Sequence, residues 1–399
     1  MTLCAATVAA KDHLAHARVV AASFRRHHPD VPFYVLLADE VQDCFEPERE
    51  PFTLIELDEL EAPEPGLMRF RYPKQPLSYA LTPWLIAELF TRGYERVMFI
   101  KQESLVLGSL APEFDRLATD DILLTPHLLA PIEGPERSAR ERNVILAGAY
   151  NVGLLGVAAR ASGRAMLAWW KRRLEHHCLH AVGEGMHYEQ RWSALLPAMF
   201  DSVGILRDPG LNVGHWNVEE RDLLVDGDHV TALGRPCRLV RFSGYRPEDP
   251  DRVTRYDDRR AVHELGQAAE LFERFRSALL GAGHEAAAEW PYAFGTFADG
   301  LPIPDLAREL HLEGRDESAG LGDPFATGAG SFRSWLREPS ADRPGVPRLL
   351  DAIYDRRPDV RAAYPRALEP GGLDELLGWF LNTGAGEHGI DPRLLEASP

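Results

Sequence analysis

The stretch 3-LCAATVAAKDHLAHARVVAASFRRHHPDVPFYVLLAD-39 decides the fold. Leu3–Ala9 is short, apolar and closed by small residues, as a buried strand is. Leu14, Ala17, Val20, Ala21 and Phe24 then recur at spacings of three and four, the period of a helix with one apolar face. His28-Pro29-Asp30 breaks that helix, and Phe33–Ala38 reads as a second buried strand ending at Asp39. Strand, helix and strand in this order form a βα unit of a parallel sheet.

Outward from this unit the pattern recurs. Thr82–Arg92 has helical period, Gly93 closes it, and Arg96–Lys101 is another apolar strand. Ile122–Thr125 and Val152–Val157 add two strands, and Ala158–His177 reads as a long helix. Between Ser202 and Gly244 the periodicity shortens to strands split by turns, with Asp226-Gly227-Asp228 as a hairpin signal. After about Asp249 the sequence is helical and charged to about Gly283, and 316–331, with Gly320, Gly322, Gly328 and Gly330, reads as a linker. Phe332–Ser398 reads as a helical module with Trp335, Leu349, Ile353, Tyr354, Leu376, Leu377 and Phe380 as its core. The expected organisation is an α/β domain over 1–250, a helical connector over 251–315, the linker, and a C-terminal helical module over 332–399.

A chain of 399 residues, 45% hydrophobic and 26% charged, suits two or three globular domains. Its formal charge of −17 argues against nucleic acid as a partner, since polyanions recruit basic surfaces. Of 44 basic residues only Lys11, Lys74, Lys101 and Lys171 are lysines, an arginine bias typical of a GC-rich bacterial genome. Cys4, Cys44, Cys178 and Cys237 have no CxxC spacing and suit a reducing cytosol. No apolar run approaches the ~18 residues of a membrane span, and no signal-peptide core opens the chain, so a cytoplasmic protein is expected. GxxxxGK[ST], a GxGxxG after a strand, and GxSxG are all absent.

Ligands of open parallel sheets bind beyond the carboxyl ends of the strands, which nominates Thr7–Asp12, Asp39, Lys101–Ser104 and the loop around Tyr150–Gly153. With later segments these residues carry a resemblance. Its motifs are Thr7 at the end of the first strand, Arg96-Val-Met-Phe-Ile-Lys101-Gln-Glu103-Ser-Leu-Val-Leu-Gly108, and Tyr150-Asn151-Val-Gly153. Further on come Glu189-Gln190-Arg-Trp192, Leu206-Arg-Asp208-Pro-Gly-Leu-Asn-Val-Gly-His-Trp216-Asn and Arg241-Phe-Ser-Gly244-Tyr-Arg-Pro247. In this order they resemble the GT-A-fold glycosyltransferases of the retaining branch that includes glycogenin and the bacterial lipopolysaccharide galactosyltransferases.

The resemblance implies a GT-A (Rossmann-like) nucleotide-sugar domain over 1–250 that moves a sugar from a nucleoside diphosphate donor, UDP-linked, to an acceptor it does not name. It implies donor contacts at Thr7, Glu103, Asn151, Gly153, Ser243 and Gly244. It places Gln190 and Glu189 under the reacting carbon, the Glu being one methylene longer than the family's Asp. Asp208, Asn212, His215 and Trp216 lie in a Pro-Gly loop whose aromatic face and polar groups suit a sugar or the acceptor, and they are expected on the acceptor side. Residues 332–399 resemble helical segments appended to bacterial glycosyltransferases, and leave open a cover for the acceptor, a protein partner or self-association.

The chain departs from the family at its metal ligands. Lys101-Gln102-Glu103 stands where the resemblance expects Asp-x-Asp, and Arg241 where it expects a His. Neither an ammonium nor a guanidinium ligates a divalent cation. Lys101, Glu103 and Arg241 sum to a positive charge, which suits a pyrophosphate without an ion. The expectation is therefore a metal-independent enzyme with no cofactor beyond its nucleotide sugar, in which Lys101 and Arg241 are catalytic and stabilise the leaving group. A rival keeps the cleft but not the chemistry: a pseudoenzyme that binds a nucleotide sugar or a protein. A third changes the donor to a sugar activated by a single phosphate. His176, His177, Cys178, His180 and His187 invite a metal reading, His176 and His180 sharing a helix face. No carboxylate or second Cys joins them at ligand spacing, so they read as a solvated helix end.

Overall fold

The computed structural model describes residues 2–313, 320–339, 343–369 and 371–395. Its strands are β1 (Leu3–Ala9), β2 (Phe33–Leu37), β3 (Thr53–Ile55), β4 (Arg96–Ile100), β5 (Ser104–Val106), β6 (Ile122–Pro126) and β7 (Tyr150–Ala158). They continue as β8 (His180–Ala181), β9 (Met186–His187), β10 (Val203–Ile205), β11 (Leu223–Asp226), β12 (His229–Ala232), β13 (Arg235–Pro236) and β14 (Leu239–Arg241). The central sheet runs β10-β6-β7-β4-β1-β2-β3. Every pairing in it is parallel except those of β7, which lies antiparallel to β4 and β6.

Strands covered on both faces read as continuous apolar runs, and β4 is buried at every position. The helix Leu14–His27 lays Leu14, Ala17, Val20, Ala21 and Phe24 against this sheet, all fully buried. Arg25, Arg26 and His27 close it at the end where the helix dipole favours cations, and Pro29 follows. Because β7 is reversed, its first residues lie at the edge where the parallel strands finish: Tyr150 pairs with Pro126 and Asn151 with Thr125. A strand start thereby joins the strand ends in forming the site.

Several elements differ from the sequence expectation. The helix expected over Ala158–His177 spans Ala161–Leu174. His176 and His180 therefore do not share a helix face; His180 sits in β8 opposite His187, with ring centroids 5.3 Å apart. Strands β3 and β5, three residues each, are too short to show a period. β5 pairs antiparallel with β14, setting Arg241 opposite Ser104. The hairpin at Asp226-Gly227-Asp228 forms as expected between β11 and β12, with Gly227 at φ +53°.

The chain divides into two compact units, Met1–Gly66 with Lys74–Tyr292, and Leu67–Pro73 with Ala293–Pro399. These lines differ from the expected ones at 250, 315 and 331. The helix Ala269–Gly281 belongs to the first unit because Phe272 and Phe275 pack on Phe242, the Phe242 and Phe275 rings stacking at 4.1 Å. Of the expected linker, residues 316–319 lie outside the described residues. The remainder is packed rather than a spacer: Phe325 accepts the Ala298 N–H at 2.9 Å and meets the Phe70 ring edge-on at 5.0 Å. The second unit buries Trp335, Leu349, Ile353, Tyr354, Leu376 and Phe380 as expected, with Leu377 half-buried. Arg308, buried in this unit, donates to the carbonyls of Phe70 and Phe294. Residues 396–399, expected to end the module, lie outside the described residues. Among the described residues no helix is long and apolar enough to cross a membrane.

Candidate functional site

Two cavities of about 720 and 610 Å³ lie in the first unit, lined by residues that follow strand ends. Lys101, Asn151, Glu189, Gln190, His215, Trp216, Arg241 and Ser243 line the larger one, and Glu103 and Gly244 line the smaller. The cavities share Gln75, Tyr79 and Arg255 as walls. Of the residues nominated from sequence, Thr7, Gly153, Asp208 and Asn212 line neither.

Lys101 directly follows β4, and its backbone N–H donates to Gly153 O at 3.0 Å. Its ammonium is hydrogen-bonded to Glu189 Oε1 at 2.5 Å and lies 3.7 Å from the Tyr79 ring centroid. Both side chains are buried, and Glu189 Oε2 has no hydrogen-bond partner among the described residues. Glu189 is thus the counter-ion of Lys101, a role the sequence reading did not give it. Arg241 ends β14, where Nη1 donates to Asn151 Oδ1 at 2.9 Å and Nη2 stands 3.5 Å from Glu103 Oε2. Burial pushes the Arg241 guanidinium down from its ordinary range, and Glu103 opposes that shift. Including Glu189, the two buried cations face two carboxylates and their charges cancel. The positive sum expected from sequence is corrected accordingly.

These residues do not fit a divalent cation. Lys101 and Arg241 present N–H donors, and the Glu103 carboxylate already accepts the Gly244 N–H at 3.3 Å beside Arg241.

Gly153 owes its identity to Arg241. A Cβ there would fall 1.5 Å from Arg241 Nη1 and 2.5 Å from Asn151 Oδ1, so the guanidinium, held by Asn151, occupies the space a side chain at 153 would need. Asn151 Oδ1 accepts from both the Gly153 N–H, at 2.8 Å, and Arg241. Its amide nitrogen must then face His127 Nε2, 3.0 Å away, which acts as acceptor. Burial pushes the His127 imidazole down to about 3, so it is neutral at pH 7. Gln190 is held at both ends of its amide: Nε2 donates to Ala147 O at 3.0 Å, and Oε1 accepts the Val152 N–H at 3.3 Å.

Other nominated residues have structural surroundings. Thr7 is fully buried in β1, and its hydroxyl has no hydrogen-bond partner among the described residues. Asp208 accepts the Gly210 N–H at 2.9 Å and pairs with Arg238 at 3.0 Å and Arg235 at 3.1 Å, tying down its own loop. Asn212 is fully buried at φ +53°. His215 pairs with Asp257 at 3.4 Å, and the Trp216 ring meets His127 edge-on at 5.3 Å. The Ser243 carbonyl accepts the Thr254 hydroxyl at 2.9 Å.

Sequence reasoning missed Gln75, Tyr79, His127 and Arg255. His127 stands just past β6, so the strand-end rule reaches it. Gln75 and Tyr79 lie four apart on the helix Lys74–Ala80, with Gln75 Nε2 donating to Tyr79 Oη at 2.9 Å. Arg255 Nη2 donates to Gln75 Oε1 at 3.0 Å and to Tyr256 Oη at 3.1 Å.

No family profile matches the chain. A relative from Bacillus subtilis (strain 168), the uncharacterised protein YfnF, is 26% identical over 285 residues, covering 67% of this chain and 91% of its own. Among solved structures, the galactosyltransferase LgtC in complex with donor and acceptor sugar analogues is 16% identical, covers 70% of this chain and 96% of its own, and superposes with a TM-score of 0.40. The glycosyltransferase GlyE of Streptococcus pneumoniae TIGR4 is 13% identical over 74% of this chain and 67% of its own, with a TM-score of 0.41. Mouse xyloside xylosyltransferase 1 is 12% identical over 60% of this chain and 97% of its own, with a TM-score of 0.38. At these TM-scores the likenesses say nothing about this chain's own donor or reaction.

Proposed function

We propose that the first unit is a glycosyltransferase: it transfers a sugar from a nucleoside diphosphate sugar, uridine-linked, to an acceptor, with retention of configuration and without a metal. The nucleoside belongs in the smaller cavity, the sugar and acceptor in the larger, and the diphosphate at their shared wall. The observation that carries this reading is convergence. Lys101, Glu103, Asn151, Glu189, Gln190, Arg241, Ser243 and Gly244 come from four separate segments of chain and meet around two cavities with a common wall.

In the proposed step the bond from the anomeric carbon to the β-phosphate oxygen breaks while the acceptor oxygen bonds to that carbon on the same face. The acceptor proton goes to the leaving phosphate, and a nucleoside diphosphate departs. Negative charge grows on the phosphate oxygen, so fixed N–H donors there lower the barrier. Lys101 and Arg241 supply such donors, each oriented by its carboxylate partner. Arg241 keeps a buried Nε with no hydrogen-bond partner among the described residues. Gln190, clamped by backbone at both ends, presents a fixed amide to the larger cavity.

The pairing of both cations favours one rival, a binding module that holds a nucleotide sugar or a protein without turning anything over. Thermal unfolding with a panel of nucleotide sugars, joined to an assay for nucleoside diphosphate release, separates them. A stabilising sugar whose nucleotide is released in EDTA supports the transferase. Release that requires manganese sinks metal independence. Stabilisation without release, with or without added acceptors, leaves the binding module.

A further inference from the structure

We infer that Arg255 is the residue that receives the diphosphate at the passage between the two cavities; this rests on the sugar-transfer reading above. Most positive charges around the two cavities are already neutralised. Lys101 pairs with Glu189, Arg241 with Glu103, and Lys74 with Asp12. Arg140 pairs with Glu219 and Glu220, Arg259 with Glu219 and Asp257, and Arg252 with Asp258. Among the described residues two cavity-lining cations, Arg246 and Arg255, have no carboxylate within ion-pair distance. Arg246 lines the smaller cavity alone, whereas Arg255 lines both.

Arg255 is also oriented. Its Nη2 is held by Gln75 and Tyr256, and its Cζ lies 5.1 Å from the Tyr256 ring centroid. Nε and Nη1 have no hydrogen-bond partner among the described residues, so one side of a planar guanidinium stands ready for phosphate oxygens. The Gln75 link continues to Tyr79, whose ring covers the Lys101 ammonium. A chain of contacts thus runs from the exposed loop to the buried ion pair across the shared wall. Of the three residues that line both cavities, Arg255 is the cation, so a diphosphate laid against that wall meets there a positive charge with no carboxylate within ion-pair distance. The residue is exposed, so its charge stays hydrated until the ligand arrives and needs no buried counter-ion.

Titration calorimetry of the full chain with UDP, GDP, ADP and dTDP identifies the tightest diphosphate, which is then compared with its parent nucleoside in Arg255→Ala and Arg255→Lys. The Ala variant is expected to bind the diphosphate about tenfold more weakly while its nucleoside affinity is unchanged, as loss of a charge-assisted hydrogen bond requires. The Lys variant should recover part of that loss. Unaltered diphosphate binding by Arg255→Ala overturns the assignment and leaves the sugar-transfer reading standing. Equal losses for diphosphate and nucleoside also overturn it, because they mark a residue that shapes the cleft. A wild-type chain that binds none of the four diphosphates brings down both.

Discussion

The cations around the shared wall fall into two groups that behave oppositely. At the strand ends, Lys101 and Arg241 are buried, hydrogen-bonded and matched by carboxylates. On the loop 254–259, Arg255 is exposed, held by neutral partners and unmatched. Removing a charge from water is costly, so a buried cation persists only with a partner, whereas an exposed one needs none. The strand-end group therefore fixes the shape of the site, and the loop carries its open charge.

The sharpest test of the buried group is Lys101→Ala, which strands the fully buried Glu189 carboxylate. Unfolding in urea should show a loss of about 3–5 kcal/mol. Removing both charges in Lys101→Met/Glu189→Gln should restore most of it. A single variant as stable as the wild type would break the comparison. Next in size is Gly153→Ala, whose new methyl meets Arg241 Nη1; overpacking of this kind costs about 1–3 kcal/mol. Shortening Arg241 to His in the same chain should return part of that stability, as read from thermal midpoints.

His127 tests the same group through pH. Its folded-state value, about 3, lies below the ordinary 6.5, so the unfolded chain takes up a proton the folded chain refuses. Its contribution is complete above about 6.5 and is lost as pH falls toward 3, at about 1.4 kcal/mol per pH unit. Urea midpoints at pH 7, 6 and 5 should fall less steeply in His127→Gln; parallel slopes would place the proton uptake elsewhere. The smallest effect on the free protein belongs to Arg255→Ala, within about 0.5 kcal/mol, as for an exposed side chain without an ion pair. A larger loss in the unliganded melting curve would move Arg255 into the structural group.

The two groups also differ in how far the sequence betrays them. β1 and the helix behind it were legible because burial on both faces writes a continuous apolar run and burial on one writes a period of three and four. Lys101 and Glu103 were legible because they follow an apolar strand, and Arg241 through the ordered motifs that carry the resemblance. What they are matched to was not: Glu189 approaches Lys101 across 88 positions, and no spacing announces such a contact. The direction of β7 was hidden for the same reason, as an apolar run does not say which way it runs. Arg255 and Gln75 meet across 180 positions, in segments without a motif. The boundary at 292–293 escaped because the Gly-rich stretch that looked like a linker packs through Phe325 instead.

The clearance at Gly153 imposes an order on how this site can be rebuilt. With Arg241 in place, any side chain at 153 collides with the guanidinium. A lineage passing one substitution at a time therefore gains arginine at 241 with least strain when glycine already stands at 153, and fills 153 with least strain after giving the arginine up. The pair works as a ratchet: one tooth holds the other, and the easier way back to a different charge pattern at this site starts from position 241.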